Sequence, residues 1–582
     1  MNVRRYSLLP TGSPVPARLI GLLAGWAMLV SPAWGQDPLE AFERGKALMQ
    51  ERKVDEAIAQ FDEAIRLHPE YVEAYLSRGS AYWEKGEFQQ AVADYTKAIG
   101  LKPEMTSAYY NRGLAYLGQG ELQKAVEDLG EAVRLDPKHA DAYLTRAGTY
   151  CELGQPDKAV ADCNRVIELE PKRAGAYLHR GIAQMDKRQW DEAIADFTRS
   201  LEIEPDTAQT LVNRASCYWE KSEIDQAVAD CTQAIQLDAK LPLAYYFRAL
   251  SYIDQSAWDA ALADLNRAVE LGPEDADVHF ARGTVFQEKG DHVKALADYD
   301  ETIRLQPDFA EAYLNRARSH WEQEQFDKTV ADANRAIELE LKLADAYYFR
   351  GVARSKTGEL DKGIDDLNEA IRIEPKLTLA FFHRGNTYYK KGRFDRAVAD
   401  LSLAIRMDPK MADAYLSRAA AYWLNKDARK TIADCNAAER LGLKSDNVYC
   451  YRGAAYYTTG QFDRAILDLS EAIRLRPNRV DALYYRAVAY YKRNNLLRAI
   501  ADLTTALDID PKNPKIYANR GYMYGKTGEV DKAIADFTQA VELDPKNGQI
   551  YHLRGLIYQA HDQRDKAEAD FAKARELGYQ AG

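Results

Sequence analysis

Prolines stand at residues 69, 103, 137, 171 and 205, each 34 after the last, and the same grid is struck again at 273, 307, 375, 409, 477, 511 and 545. No insertion or deletion breaks the register. A fixed period of this length constrains a fold more than any composition does. Each period must be one small unit that cannot cover its own apolar face, so copies have to stack. With the prolines set at position 32, sixteen repeats run from Pro38 to Ala581.

Within a repeat the apolar positions fall into two helical stripes, one at 4, 8 and 11 and one at 20, 24 and 27. Position 8 is Gly in ten repeats and Ala in six, and position 20 is Ala in thirteen. Small residues there let two helices approach closely. Gly86, Gly120, Gly154 and Gly290, at position 15, mark the turn between them. Tyr occupies position 4 in eleven repeats and position 11 in eleven, which takes 22 of the 37 tyrosines, so most serve packing. A 34-residue helix–turn–helix with an aromatic at 4, small residues at 8 and 20 and Pro at 32 resembles the tetratricopeptide repeat family. The resemblance covers essentially all of the chain after its first 37 residues. It implies an all-α, right-handed superhelical solenoid whose first helices line the concave side.

Position 7 is Arg in all sixteen repeats, from Arg44 through Arg554, although it lies between packing positions. A half-buried guanidinium needs a partner. Position 23 is Asp in fifteen repeats and departs only at Gln60. The pattern predicts an Arg–carboxylate pair that staples helices together, within each repeat or between neighbours. The matching Asp ladder argues against arginines that read an anionic polymer.

Residues 1–35 read as an export signal: Arg4, Arg5 and Arg18 precede an apolar run from Leu19 to Val30, and Ala33 and Gly35 suit a cleavage site. Twelve apolar residues fall short of the roughly 20 needed to span a bilayer. Loss of this segment, which has three arginines and no acid, takes the formal charge from −11 to −14. Nucleic acid and anionic membrane surfaces are therefore excluded as main partners, unless an uncleaved leader holds the chain to a membrane. Six cysteines would permit disulfides in an exported chain. Cys163, Cys231 and Cys435 share position 24, however, which reads as a small core residue.

No phosphate loop, His-Glu-x-x-His helix or paired-cysteine spacing is present, and the nine histidines are scattered, so the expectation is no cofactor, no metal and no catalysis. Some repeat proteins resembling this one carry a catalytic domain, as the O-linked N-acetylglucosamine transferases do; here the repeats fill the sequence. Function is then expected on the first-helix stripe at positions 2, 6, 9 and 13, flanked by 5 and 12. Family members that clamp a partner's terminal carboxylate would require Lys at 5 and Asn at 9, but position 5 is never Lys and position 9 is Asn only at Asn386. The transferases' asparagine ladder at position 6 is matched at Asn111, Asn213, Asn315 and Asn519.

Position 12 carries Trp83, Trp219, Trp321 and Trp423, and position 13 is acidic at Glu84, Glu152, Asp186, Glu220, Asp254, Glu288 and Glu322, then basic at Lys356, Lys390, Lys492 and Lys526. These residues predict a scaffold for an extended protein or peptide partner that has a basic part and an acidic part. A carbohydrate-associated role in an envelope machine is the alternative, since Trp and Tyr faces also stack on sugars. Glu568 and Arg575 replace apolar residues in the last repeat, as a terminal helix requires. Glu439 and the segment RLGLKSDN partly copy that stop, which predicts a joint near 439–447 dividing repeats 38–445 from 446–581.

Overall fold

The computed structural model describes residues 37–340 and 342–580; the expected export signal lies outside them. The described residues form thirty-two α-helices and no strand, two helices per repeat, from α1 (Pro38–Gln50) and α2 (Val54–Leu67) to α31 (Gly548–Ala560) and α32 (Arg564–Glu576). Odd-numbered helices are the first of each pair.

The turn inside each repeat is left-handed at position 15 in all sixteen repeats. Glycine fills it in eight, as at Gly86 (φ 76°); Arg52, Arg188, Ser222, Ser256, Glu324, Lys426, Asn494 and Asp562 fill it in the others. The main chain holds the turn whichever residue is present. Glu87 N donates to Tyr82 O at 2.9 Å, and Glu223 N donates to Tyr218 O at 2.8 Å beside the non-glycine Ser222.

The two helices of a repeat meet through positions 8 and 24, where volumes compensate. In α9 (Ala174–Asp186) a methyl added at Gly181 would lie 2.6 Å from the Phe197 ring on α10 (Trp190–Ile203), and one at Gly79 would lie 2.7 Å from Tyr95. Every aromatic at position 24 faces a glycine at position 8. Where position 8 is Ala147, Ala215 or Ala419, position 24 is Cys163, Cys231 or Cys435. These three cysteines are therefore the small partners of a larger residue, and all six cysteines are free and buried. Between repeats, the position-4 tyrosine reaches back: Tyr75 Oη donates to Pro69 O at 3.2 Å and Tyr177 Oη to Pro171 O at 3.1 Å.

The chain forms two compact bodies, one ending at Leu305 and the other starting at Gln306. Within each, first helices pack on neighbouring first helices, as α7 (Ala140–Glu152) does on α9 and α25 (Asp446–Thr458) on α27 (Val480–Lys492). First helices therefore make the inner wall of each body. The 439–447 segment lies inside the second body. There the Glu439 carboxylate accepts from the Arg452 guanidinium and, at 3.1 Å, from Tyr449 Oη, both in the next repeat. Glu568 and Arg575 lie exposed on α32.

Candidate binding face

The position-7 arginines are occupied from within. Fifteen of them, Arg78 through Arg554, donate Nε and Nη2 to the position-23 aspartate of the same repeat, as Arg78 does to Asp94 at 2.8 and 2.6 Å and Arg554 to Asp570 at 2.8 Å each. The arginine side chains are 9–23% exposed and the aspartates 6–14%. Where position 25 of the preceding repeat carries an acceptor, the remaining nitrogen, Nη1, reaches it, as to Asp62 from Arg78, Thr232 from Arg248 and Asn368 from Arg384, whereas Arg146 faces Gly130 there. With that acceptor, one guanidinium joins both helices of its repeat and the repeat before it. The tyrosines at 4 and 11 flank it, with Arg78 5.6 Å from the Tyr75 centroid and 6.0 Å from that of Tyr82. A guanidinium whose charge is already paired with an aspartate is a poor reader of an anionic ligand.

The other first-helix residues divide by exposure. Glu84, Glu220 and Glu322 are exposed, as are Lys356, Lys390, Lys492 and Lys526. The sign change falls between Glu322 and Lys356, inside the second body. Lys390 donates to Ser355 O at 3.1 Å, and burial together with the Lys356 charge lowers its pKa.

Trp83 is 36% exposed. The other three tryptophans are engaged: Trp219 Nε1 donates to Asp254 at 2.7 Å, Trp321 packs on Phe326 with Lys356 over its ring, and Trp423 meets Tyr485 edge-on at 5.7 Å. Asn111, Asn315 and Asn519 are half-buried, and Asn519 Nδ2 donates to Lys515 O at 2.7 Å. Asn213 is fully buried, with Gln209 donating to its Oδ1 at 3.2 Å, so it offers no surface to a partner.

The family model described as tetratricopeptide repeat matches residues 42–106, 178–242, 246–310, 314–377 and 452–514, more than half of the chain. Related tetratricopeptide models match 106–139, 514–547, 129–161 and 385–426. The chain belongs to the tetratricopeptide repeat family. Among solved structures it is similar to a tetratricopeptide repeat protein from Parabacteroides merdae (21% identity over 43% of this chain and 100% of that one, TM-score 0.37). It is also similar to MamA (30% identity, 28% and 94%, TM-score 0.27) and to YrrB, described as a TPR protein with an unusual peptide-binding site (24%, 32% and 95%, TM-score 0.29). No curated protein matches the chain.

As in tetratricopeptide repeat proteins generally, the wall is made of helix faces. Among the described residues no group of three or more His, Cys, Asp and Glu is placed to hold a metal, and no helix is long and apolar enough to cross a membrane. Burial pushes the Cys151, Cys217 and Cys435 thiols up to about 12, so they stay protonated and poorly nucleophilic. One feature of the wall escaped the sequence reading: a pair of clefts around Lys515, Tyr484 and Tyr522. Its signal was available, because Lys515 is the only lysine at position 2 in sixteen repeats.

Proposed function

We propose that this tetratricopeptide repeat chain is an exported, non-catalytic scaffold that binds an extended protein or peptide segment along its first helices. The partner's basic part faces the acidic stretch and its acidic part faces the lysine stretch. The supporting observation is the one-way change of sign at position 13, carried by side chains at the surface, while the arginine ladder beneath them is paired with its own aspartates. Exposed charges of this kind orient and speed an encounter more than they hold it. Export rests on the Arg4–Arg5 start and the Leu19–Val30 apolar run, and N-terminal sequencing of the mature protein tests it.

The binding reading is tested by replacing Glu84, Glu220 and Glu322 with lysine and following capture of envelope partners. Slower association with an altered salt dependence is expected, while Trp83→Ala, at the exposed tryptophan, mainly speeds release. Unchanged kinetics in both variants would remove the first-helix face as the site. Glycan binding is the second reading, favoured by the exposed indole of Trp83, and glycan analysis of the same captured material decides it.

A further inference from the structure

The first helices α27 and α29 (Pro514–Thr527) touch through Tyr491 and Tyr522, whose ring centroids lie 5.8 Å apart, and their starts border an open space. A cleft of about 550 Å³ opens there, and a second of about 560 Å³ follows between α29 and α31. Lys515 lines both. Its ammonium lies 4.5 Å from the centroid of the Tyr484 ring and has no carboxylate partner among the described residues.

Two more lysines on the same helices share this state. Lys492 lies over Tyr491 at 5.7 Å and Lys526 over Tyr522 at 5.5 Å, again without a carboxylate, and the two tyrosine hydroxyls are 3.3 Å apart. Lysines at position 14 are treated differently, since Lys85, Lys221 and Lys289 pair with Asp55, Asp191 and Asp259 of the preceding repeat, whereas Lys356 at position 13 also lies on a ring, that of Trp321. The acids that border the clefts are already engaged. Asp481 accepts from Arg479 at 2.9 and 3.2 Å, and Asp544 accepts from Asn547 at 3.1 Å. Lys515 at the start of α29 and Lys492 and Lys526 at the ends of α27 and α29 are thus three ammoniums seated on aromatic faces, and the amides of Asn519 and Gln549 line the second cleft beside Lys515. A lysine laid on a ring has given up part of its rotamer freedom and part of its hydration, so an anion arriving there meets a charge already in place.

We propose that the two clefts take an extended, Asp- and Glu-rich peptide segment, its carboxylates paired with Lys515, Lys492 and Lys526 and its backbone set against the amides of Asn519 and Gln549. This rests on the peptide-scaffold reading and narrows it to a place and a ligand chemistry. The test titrates the full chain with labelled peptides of repeating Glu-Ser, Lys-Ser and Gln-Ser at low and physiological salt, with inorganic polyphosphate as a further probe. The Glu-Ser peptide is expected to bind, and more weakly as salt rises. Lys515→Ala should weaken it roughly fivefold and the Lys515→Glu, Lys526→Glu double variant at least about tenfold, with unchanged helical content and melting. Lys410→Ala, in a loop away from the clefts, should bind as the parent does.

Glu-Ser binding that is indifferent to both Lys515 variants overturns the proposal. So does tighter, Lys515-dependent binding of polyphosphate, which would make the clefts a phosphate site. If Lys-Ser or Gln-Ser binds and Glu-Ser does not, the cleft assignment falls while the scaffold reading stands; if no peptide binds, both fall.

Discussion

Removing the Asp264 carboxylate strands the Arg248 guanidinium, which reaches it through hydrogen bonds of 2.7 and 2.8 Å and is only 18% exposed. Asp264→Ala should therefore cost about 3 kcal/mol, the low end for a broken buried pair, because some water still reaches the arginine. Urea unfolding, with hydrogen exchange read in α13 (Pro242–Asp254) and α14 (Trp258–Leu271), checks this; parental stability would contradict it. Histidines give pH effects of opposite sign. His279 replaces the position-4 tyrosine, and its two ring nitrogens face Asp298 at 3.2 Å and Pro273 O at 3.0 Å, with Arg282 also bonded to that aspartate. Two acceptors favour the imidazolium, so the hydrogen bond to Asp298 raises the His279 pKa. Its stabilisation is full below about pH 6.5, the unfolded value, and is lost as pH rises through the raised folded value. His179 and His383 are pushed down to about 4 by burial, and the Lys356 and Lys390 charges add to the effect at His383. They remain neutral in the fold while the unfolded chain gains protons, so stability falls as pH drops from about 6.5 to 4. His279→Tyr should abolish the alkaline loss of exchange protection in α15 (Ala276–Glu288) and α16 (His292–Leu305). It should leave the acid loss around His179 untouched.

Helix pairs are matched by volume, and a two-site exchange exposes this. Gly181→Ala places a methyl against the Phe197 ring and should cost about 1–3 kcal/mol, and adding Phe197→Leu should recover most of it. Thermal melts of the two single variants and the pair measure the coupling, and additive losses would contradict the match. Every helix pair was legible in the sequence because period and small residues sit on a rigid grid, and so was the Arg–Asp staple, since a half-buried cation demands a partner. The covariation of positions 8 and 24 is also present in the sequence, and the ring contacts give it a cause. The 439–447 segment shows the limit of reading by substitution. Glu439 breaks an apolar position, yet the structure bonds it to Arg452 and Tyr449. We propose a joint near 439–447 and expect limited proteolysis to cut there first; an even pattern of cuts would dismiss it.

At the scale of the whole molecule, sequence position predicted which charges remain at the surface but not which side chains their neighbours absorb. Position 13 is exposed at Glu84, Glu220, Glu322, Lys356, Lys390, Lys492 and Lys526, whereas Asn213 is enclosed and Trp219, Trp321 and Trp423 are held by Asp254, Phe326 and Tyr485. Those outcomes depend on the contents of the adjacent repeat, so a single-repeat pattern could not show them. The clefts at Lys515 likewise depend on how neighbouring helices are set, which the lone lysine at position 2 marks but does not explain. The central claim is that first helices bind and that their charge orders the partner. Hydrogen exchange on the full chain with a basic peptide and, separately, an acidic peptide measures this most directly. The basic peptide is predicted to protect first helices around Glu84 and Glu220 and the acidic peptide those around Lys492 and Lys526. Protection confined to even-numbered helices, or identical footprints for the two peptides, would contradict it.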